Sequence, residues 1–257
     1  MSEQIFGYYS VYEDKLLKDL DEICLLLKNS ISTRYSEKFA SNLLIDVRKE
    51  YQELIPQIPY IKGFRARVLN KFLIGTAQEL ALYKAMKAHH KTTSEAWELC
   101  HQAICLYVQD IPKWKRWLFR RFMFSSFVKK IIERRENTQE RGYFGEFEIE
   151  YLVGKKENFD IGVNYHSCGN YNFAMKHGGK EFAPFICMSD IALSDAMGWG
   201  LSRTQTLADG CSYCDFRFKN GAPTNISSKT PEVENVIKKI REREIKQRVQ
   251  NEDKYAD

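Results

Sequence analysis

Several things are scarce in this chain, and each scarcity removes a class of protein. The longest wholly apolar run, Phe182 to Met188, is seven residues, far short of the roughly 20 a spanning helix needs. The first residues, Met-Ser-Glu-Gln, hold no basic stretch, so no secretory leader is expected. Lys and Arg number 39 against 34 Asp and Glu, a balance too even for a nucleic-acid coat. Cysteine is present, but as seven residues spread from Cys24 to Cys214; an odd, scattered set fits a reducing cytoplasm better than a disulfide framework. No internal repeat occurs, nor any G-x-S-x-G, H-E-x-x-H or phosphate loop. At 257 residues, 44% of them hydrophobic, the chain is long enough to bury roughly 70–75% of its unfolded surface.

Periodicity divides what is there. Leu16, Leu20, Ile23 and Leu27 form one helical stripe in 12–28, and helical composition continues over 33–55 until Ile55-Pro56 and Ile58-Pro59 interrupt it. Phe64, Val68, Phe72, Leu80 and Tyr83 mark a helix over 64–88. The next helix opens at Thr92-Thr93-Ser94-Glu95, a capping-box pattern. From about Gly142 the period becomes two. Phe147, Ile149 and Tyr151 alternate with acids, and Phe159, Ile161, Val163 and Tyr165 alternate with Asp160, Gly162 and Asn164, predicting a hairpin. After helices over about 170–177 and 181–197, a second pair of strands is predicted at 200–207 and 213–218. The expected architecture is α+β: a helical N-terminal half, 1–140, packed on a four-stranded antiparallel sheet with two intervening helices, 141–218. A polar linker over 219–230 and a charged, solvated helix over 231–257 complete it.

The block from Phe159 to Phe218 resembles the L-2-amino-thiazoline-4-carboxylic acid hydrolase family. The resemblance rests on Phe159-Asp160-Ile161-Gly162 leading to Cys168 and on Cys187-x-x-Asp190. Above all it rests on Leu201-Ser202-Arg203-Thr204-Gln205-Thr206-Leu207-Ala208-x-Gly210-x-x-x-Cys214-Asp215-Phe216-Arg217-Phe218. More loosely, it reaches back to about residue 10. It implies hydrolytic opening of a small five-membered ring whose carbon is bonded to sulfur, a ring nitrogen and an exocyclic nitrogen, a reaction leading to cysteine. A non-catalytic module that binds a small molecule or a partner on the same fold is the competing expectation.

Ring opening needs a nucleophile, a proton donor and a cation for the substrate carboxylate. On a single helix over 181–197, Cys187, Asp190 and Ser194 fall at i, i+3 and i+7 and share a face. Cys187 or Cys214 is then a candidate thiolate and Asp190 a general base or acid, against the alternative of buried packing cysteines and a structural carboxylate. Cys168, Cys187 and Cys214 all stand at motif positions, with His166 close by in sequence. Cys187, Asp190, Arg203 and Cys214, with Cys168 nearby, are expected to converge between that helix and the sheet. Arg203 and Arg217 suit capture of a carboxylate or a structural ion pair to Asp190 or Asp215. Thr204 and Thr206 suit polar lining or plain strand formation. No cofactor is predicted, with zinc or another divalent metal as the alternative: Cys168, Cys187, Cys211, Cys214, His166 and Asp190 include the ligand types of zinc, but only Cys211-x-x-Cys214 has a familiar interval.

Residues 113–135 stand apart. They hold nine Lys or Arg and a single acid, Glu133, interleaved with Trp114, Trp117, Leu118, Phe119, Phe122, Met123, Phe124 and Phe127. The local charge of +8 leaves −3 for the rest of a chain whose total is +5. This is the composition of an interfacial helix, or of a core helix whose cations extend to solvent. The expectation is the latter, with Trp114, Trp117, Phe124 and Phe127 buried and no binding to lipid, because so many large side chains are costly to leave in water. No motif suggests nucleic acid.

Overall fold

The computed structural model describes residues 4–63, 66–138, 141–154 and 157–254. The helical half opens with a two-residue pairing of β1 (Gln4–Ile5) and β2 (Tyr60–Ile61). Between them lie α1 (Glu13–Arg34) and α2 (Glu37–Leu54). Their buried stripes include Leu16, Leu20 and Leu27 on one and Leu43, Val47 and Tyr51 on the other. α3 (Arg67–Ala88) is buried around much of its circumference, from Leu69 through Leu80 to Met86. α4 (Thr93–Asp110) starts at the expected capping box, in which Thr92 and Glu95 satisfy each other's backbone N–H.

The segment 113–135 forms two helices, α5 (Lys113–Met123) and α6 (Ser126–Thr138). Burial is overturned for three of its four named aromatics: Trp114 is 62% exposed and Phe127 65%, Trp117 is also exposed, and no residue of α5 is buried, while Phe124 is half-buried. The reason lies in the helix's orientation. Arg116 and Arg120, not the tryptophans, face α9 (Ser189–Met197): Arg116 Nη1 donates to the Ala196 carbonyl at 3.4 Å, and Arg120 lies against Gly198. Cations are favoured at that C-terminal end by the helix dipole.

β3 (Gly142–Phe144), β4 (Phe147–Val153), β5 (Ile161–Ser167), β6 (Leu201–Arg203), β7 (Cys214–Phe218) and β8 (Asn225–Ile226) form one sheet in the order β3-β4-β5-β7-β6-β8. The four expected strands are β4 to β7, and both expected hairpin pairings occur. The sheet is nevertheless six-stranded and mixed, because β3 adds an antiparallel edge and β8 pairs parallel to β6. β8 falls within the expected linker. That stretch is stitched down by Asp209, whose carboxylate accepts from the hydroxyls of Ser228 at 2.6 Å and Thr230 at 3.0 Å. β6 is also shorter than 200–207; Thr204 and Thr206 lie beyond it.

The helix expected over 181–197 is divided into α8 (Ala183–Ile186) and α9, with Cys187 and Met188 at the joint. α7 (Gly169–Lys176) precedes them. α10 (Pro231–Lys254) is not simply solvated: Val233, Val236, Ile237 and Ile240 enter the same continuous core as Leu27, Leu80, Phe147 and Ile191. Among the described residues, no helix is long and apolar enough to cross a membrane.

Candidate active site

The two-residue period of the sheet decides which side chains meet the helices. Cys214, Phe216 and Phe218 of β7 take one face, and Asp215 and Arg217 the other. Tyr165 of β5 is in register with Cys214. The inner face and α3, α4, α7, α8 and α9 enclose a cleft of about 2110 Å³ that continues between α1 and α3. Cys168, Cys187, Asp190 and Cys214 all line it, with Glu79, Tyr165, Asn170 and Ser189.

Arg203 stands behind this group rather than within it. Its side chain is wholly buried; Nη1 donates to Asp190 Oδ2 at 2.6 Å and Nη2 to the Cys187 carbonyl at 2.9 Å, and its guanidinium lies 5.2 Å from the Phe216 ring centroid. Of the two expectations for Arg203, the ion pair with Asp190 is the one formed. It fixes Asp190 and the α8–α9 joint at the same time.

The remaining sequence candidates are elsewhere. Thr204 donates through its N–H and hydroxyl to Asp215, and Thr206, itself buried, accepts from the Asp209 N–H. Arg217 donates to Asn164 Oδ1 at 2.9 Å and packs on the Phe159 ring. His166 meets Glu150 at 2.9 Å. Alternation along β5 and β7 sends His166 and Arg217 to the face opposite Tyr165 and Cys214, which is why closeness in sequence to Cys168 did not become closeness in space. Ser194 is buried, bonded to the Leu201 N–H and Thr224. Cys211 contacts Lys229 instead of turning in with Cys214. Among the described residues, no three His, Cys, Asp or Glu side chains have an arrangement suited to a metal.

Glu79 is the site residue that motif reading missed. It lies on α3 between buried Ala77 and Leu80, and Ser189 Oγ donates to its carboxyl at 3.0 Å. Burial pushes the Glu79 carboxyl up to about 8 against the pull of that hydroxyl, and the Asp190 charge adds to the rise. The signal was available: Glu79 is the one charged residue from Phe72 to Tyr83, and an acid in so apolar a stretch needs a reason. Burial also raises Asp190 from its ordinary value, opposed by Arg203. As an arginine stays protonated and this one is fully buried, the pair is held as ions.

The thiols do not have the electrostatics of resting thiolates. Burial pushes Cys168 and Cys214 up to about 12, and Cys187 higher still, each reinforced by another of the three. Arg203 pulls Cys187 and Cys214 down, as the Leu207 N–H does for Cys214 and the N–H groups of Tyr171 and Asn170 do for Cys168, but burial prevails. At neutral pH the cleft therefore holds three neutral thiols, one neutral acid and one carboxylate–guanidinium pair. Asn170 adds a buried carboxamide oxygen with no hydrogen-bond partner.

The sequence profile of the L-2-amino-thiazoline-4-carboxylic acid hydrolase family matches residues 71–218. The chain belongs to this family. The matched span begins within α3 and ends with β7, so it contains Glu79, Asp190, Arg203 and all three cleft cysteines. Comparison with curated proteins and with solved structures found no match.

Proposed function

We propose that the chain hydrolyses a small ring at an amidine-like carbon, with an aminothiazoline carboxylate as the model substrate, and that the reaction is run by Asp190 and Glu79. What supports this reading most is the presence in one cleft of two carboxyl groups in opposite environments. Such a division is the usual basis for assigning a base and an acid.

In this scheme Asp190, oriented by Arg203, takes a proton from a water that attacks the ring carbon bonded to sulfur and two nitrogens. Glu79, neutral at pH 7, gives a proton to the ring heteroatom as its bond to that carbon breaks. One water is consumed and a carbamoyl derivative of cysteine is formed. The free oxygen of Asn170 suits the exocyclic amino group, a hydrogen-bond donor. The raised thiols favour attack by water over attack by sulfur, with Cys168, Cys187 and Cys214 shaping a weakly polar wall.

Incubation of the purified chain with the aminothiazoline carboxylate, followed by mass spectrometry for the ring-opened product, tests the activity. The single Cys168→Ser, Cys187→Ser and Cys214→Ser variants test the role of sulfur. Turnover surviving in all three is expected. Loss in one folded variant, with a covalent adduct on that cysteine in the parent chain, would replace the water scheme; absence of turnover on this and related cyclic amidines would favour the binding module.

A further inference from the structure

α5 carries its apolar side on the outside. Trp114, Trp117, Leu118 and Phe122, at i, i+3, i+4 and i+8, are all exposed, while Arg116 and Met123 are half-buried and Phe119, itself 49% exposed, has one side against the protein. The helix is held by its inward side: Arg116 on the Ala196 carbonyl, and Phe119 against Trp199 with centroids 5.9 Å apart. α6 continues the outward surface with exposed Phe127 and Ile131.

Cations frame these rings. Lys113, Lys115, Arg121, Lys130 and Arg134 are exposed, Lys115 lies over the Trp114 ring and Arg121 over the Trp117 ring, and Glu133 is the one acid from 113 to 135. Tryptophan and phenylalanine flanked by Lys and Arg match the boundary of a bilayer, where rings enter the acyl edge and cations meet phosphate. At 11 and 13 residues, α5 and α6 are too short to span it. A second copy of the chain fits less well, because it would set two segments of charge +8 against each other.

We propose that α5 and α6 form a docking surface for an anionic lipid bilayer, with Trp114, Trp117 and Phe122 inserted at its interface. Because Phe119 and Met123 also line the large cleft, docking would place one wall of that cleft beside the lipid surface. The proposal is independent of the ring-opening reaction.

Co-sedimentation of the full chain with vesicles tests it, using phosphatidylcholine alone or mixed with phosphatidylserine, at about 0.05 M and about 0.5 M salt. The chain is expected to pellet with the anionic vesicles at low salt, to be released at high salt, and to stay in solution with the neutral ones. The Trp114→Ser/Trp117→Ser variant alters only exposed side chains, so its circular dichroism and melting temperature should match the parent. Its partitioning should fall roughly tenfold or more, as should that of Lys113→Glu/Arg121→Glu. No pelleting with anionic vesicles, or equal pelleting of the folded variants, contradicts the proposal. So does self-association of the parent chain that the tryptophan substitutions abolish, which would make the surface a contact between copies.

Discussion

Glu79 is an acid placed where a carboxylate is poorly solvated, and this has a cost that depends on pH. Its folded pKa, about 8, lies above the ordinary 4.5, so the folded state holds a proton that the unfolded state releases between those values. The native state is therefore disfavoured progressively as pH rises from about 4.5 to about 8. Glu79→Gln keeps the shape without the charge. In urea melts its stability relative to the parent should rise across that window and level off above it; a constant difference from pH 5 to pH 9 would mean that Glu79 titrates normally. Arg203 presents the reverse case, a buried cation whose counter-ion faces the cleft. Arg203→Met strands Asp190 and should cost about 3 kcal/mol, near the lower end for breaking a buried pair because the Asp190 side chain is 32% exposed. Arg203→Met/Asp190→Leu should recover most of that loss, whereas a single variant as stable as the parent would show that the pair contributes little.

The elements that position these residues depend on tight joints. Gly198 and Gly200 both have positive φ in the turn from α9 to β6, and a Cβ on Gly200 would stand 2.1 Å from the Lys219 carbonyl oxygen. Gly200→Ala should therefore destabilise the chain by about 1–3 kcal/mol, read as a fall of about 2–4 °C in melting temperature per kcal/mol; an unchanged melt would show that the joint relaxes freely. Where local chemistry dictates an element, the sequence was informative. The Thr92–Glu95 capping box, the stripe of α1, the alternating strands β4 and β5, and the strand β7 were all legible. The break at Cys187–Met188 was not, because those residues stay close to helical geometry and only tertiary contact, including Arg203 on the Cys187 carbonyl, sets them there. β3 and β8 were missed for a related reason: three- and two-residue edge strands carry almost no period.

In the molecule as a whole, the helical half and the sheet share one core, and the candidate site lies where they meet. Motif resemblance was enough to place Cys168, Cys187, Asp190 and Cys214 along one cleft, since those side chains occupy the helix joints and inward strand positions that face it. It was not enough to separate Arg217 and His166 from them, because facing depends on strand register, nor to find Glu79, because the partner of an isolated acid on α3 is supplied by α9. The basic aromatic segment was misjudged because composition records that rings and cations alternate but not which of them the rest of the fold will receive. The claim that joins these levels is that Asp190 and Glu79 work as base and acid. Its most direct test is the pH dependence of kcat/KM for opening the aminothiazoline carboxylate ring, measured for the parent chain and for Glu79→Gln. The parent should lose activity as pH rises through about 8, where Glu79 surrenders its proton, and the variant should be slower by roughly 10²-fold or more and lack that limb. A folded Glu79→Gln protein with parental rate and an unchanged alkaline limb would contradict the assignment.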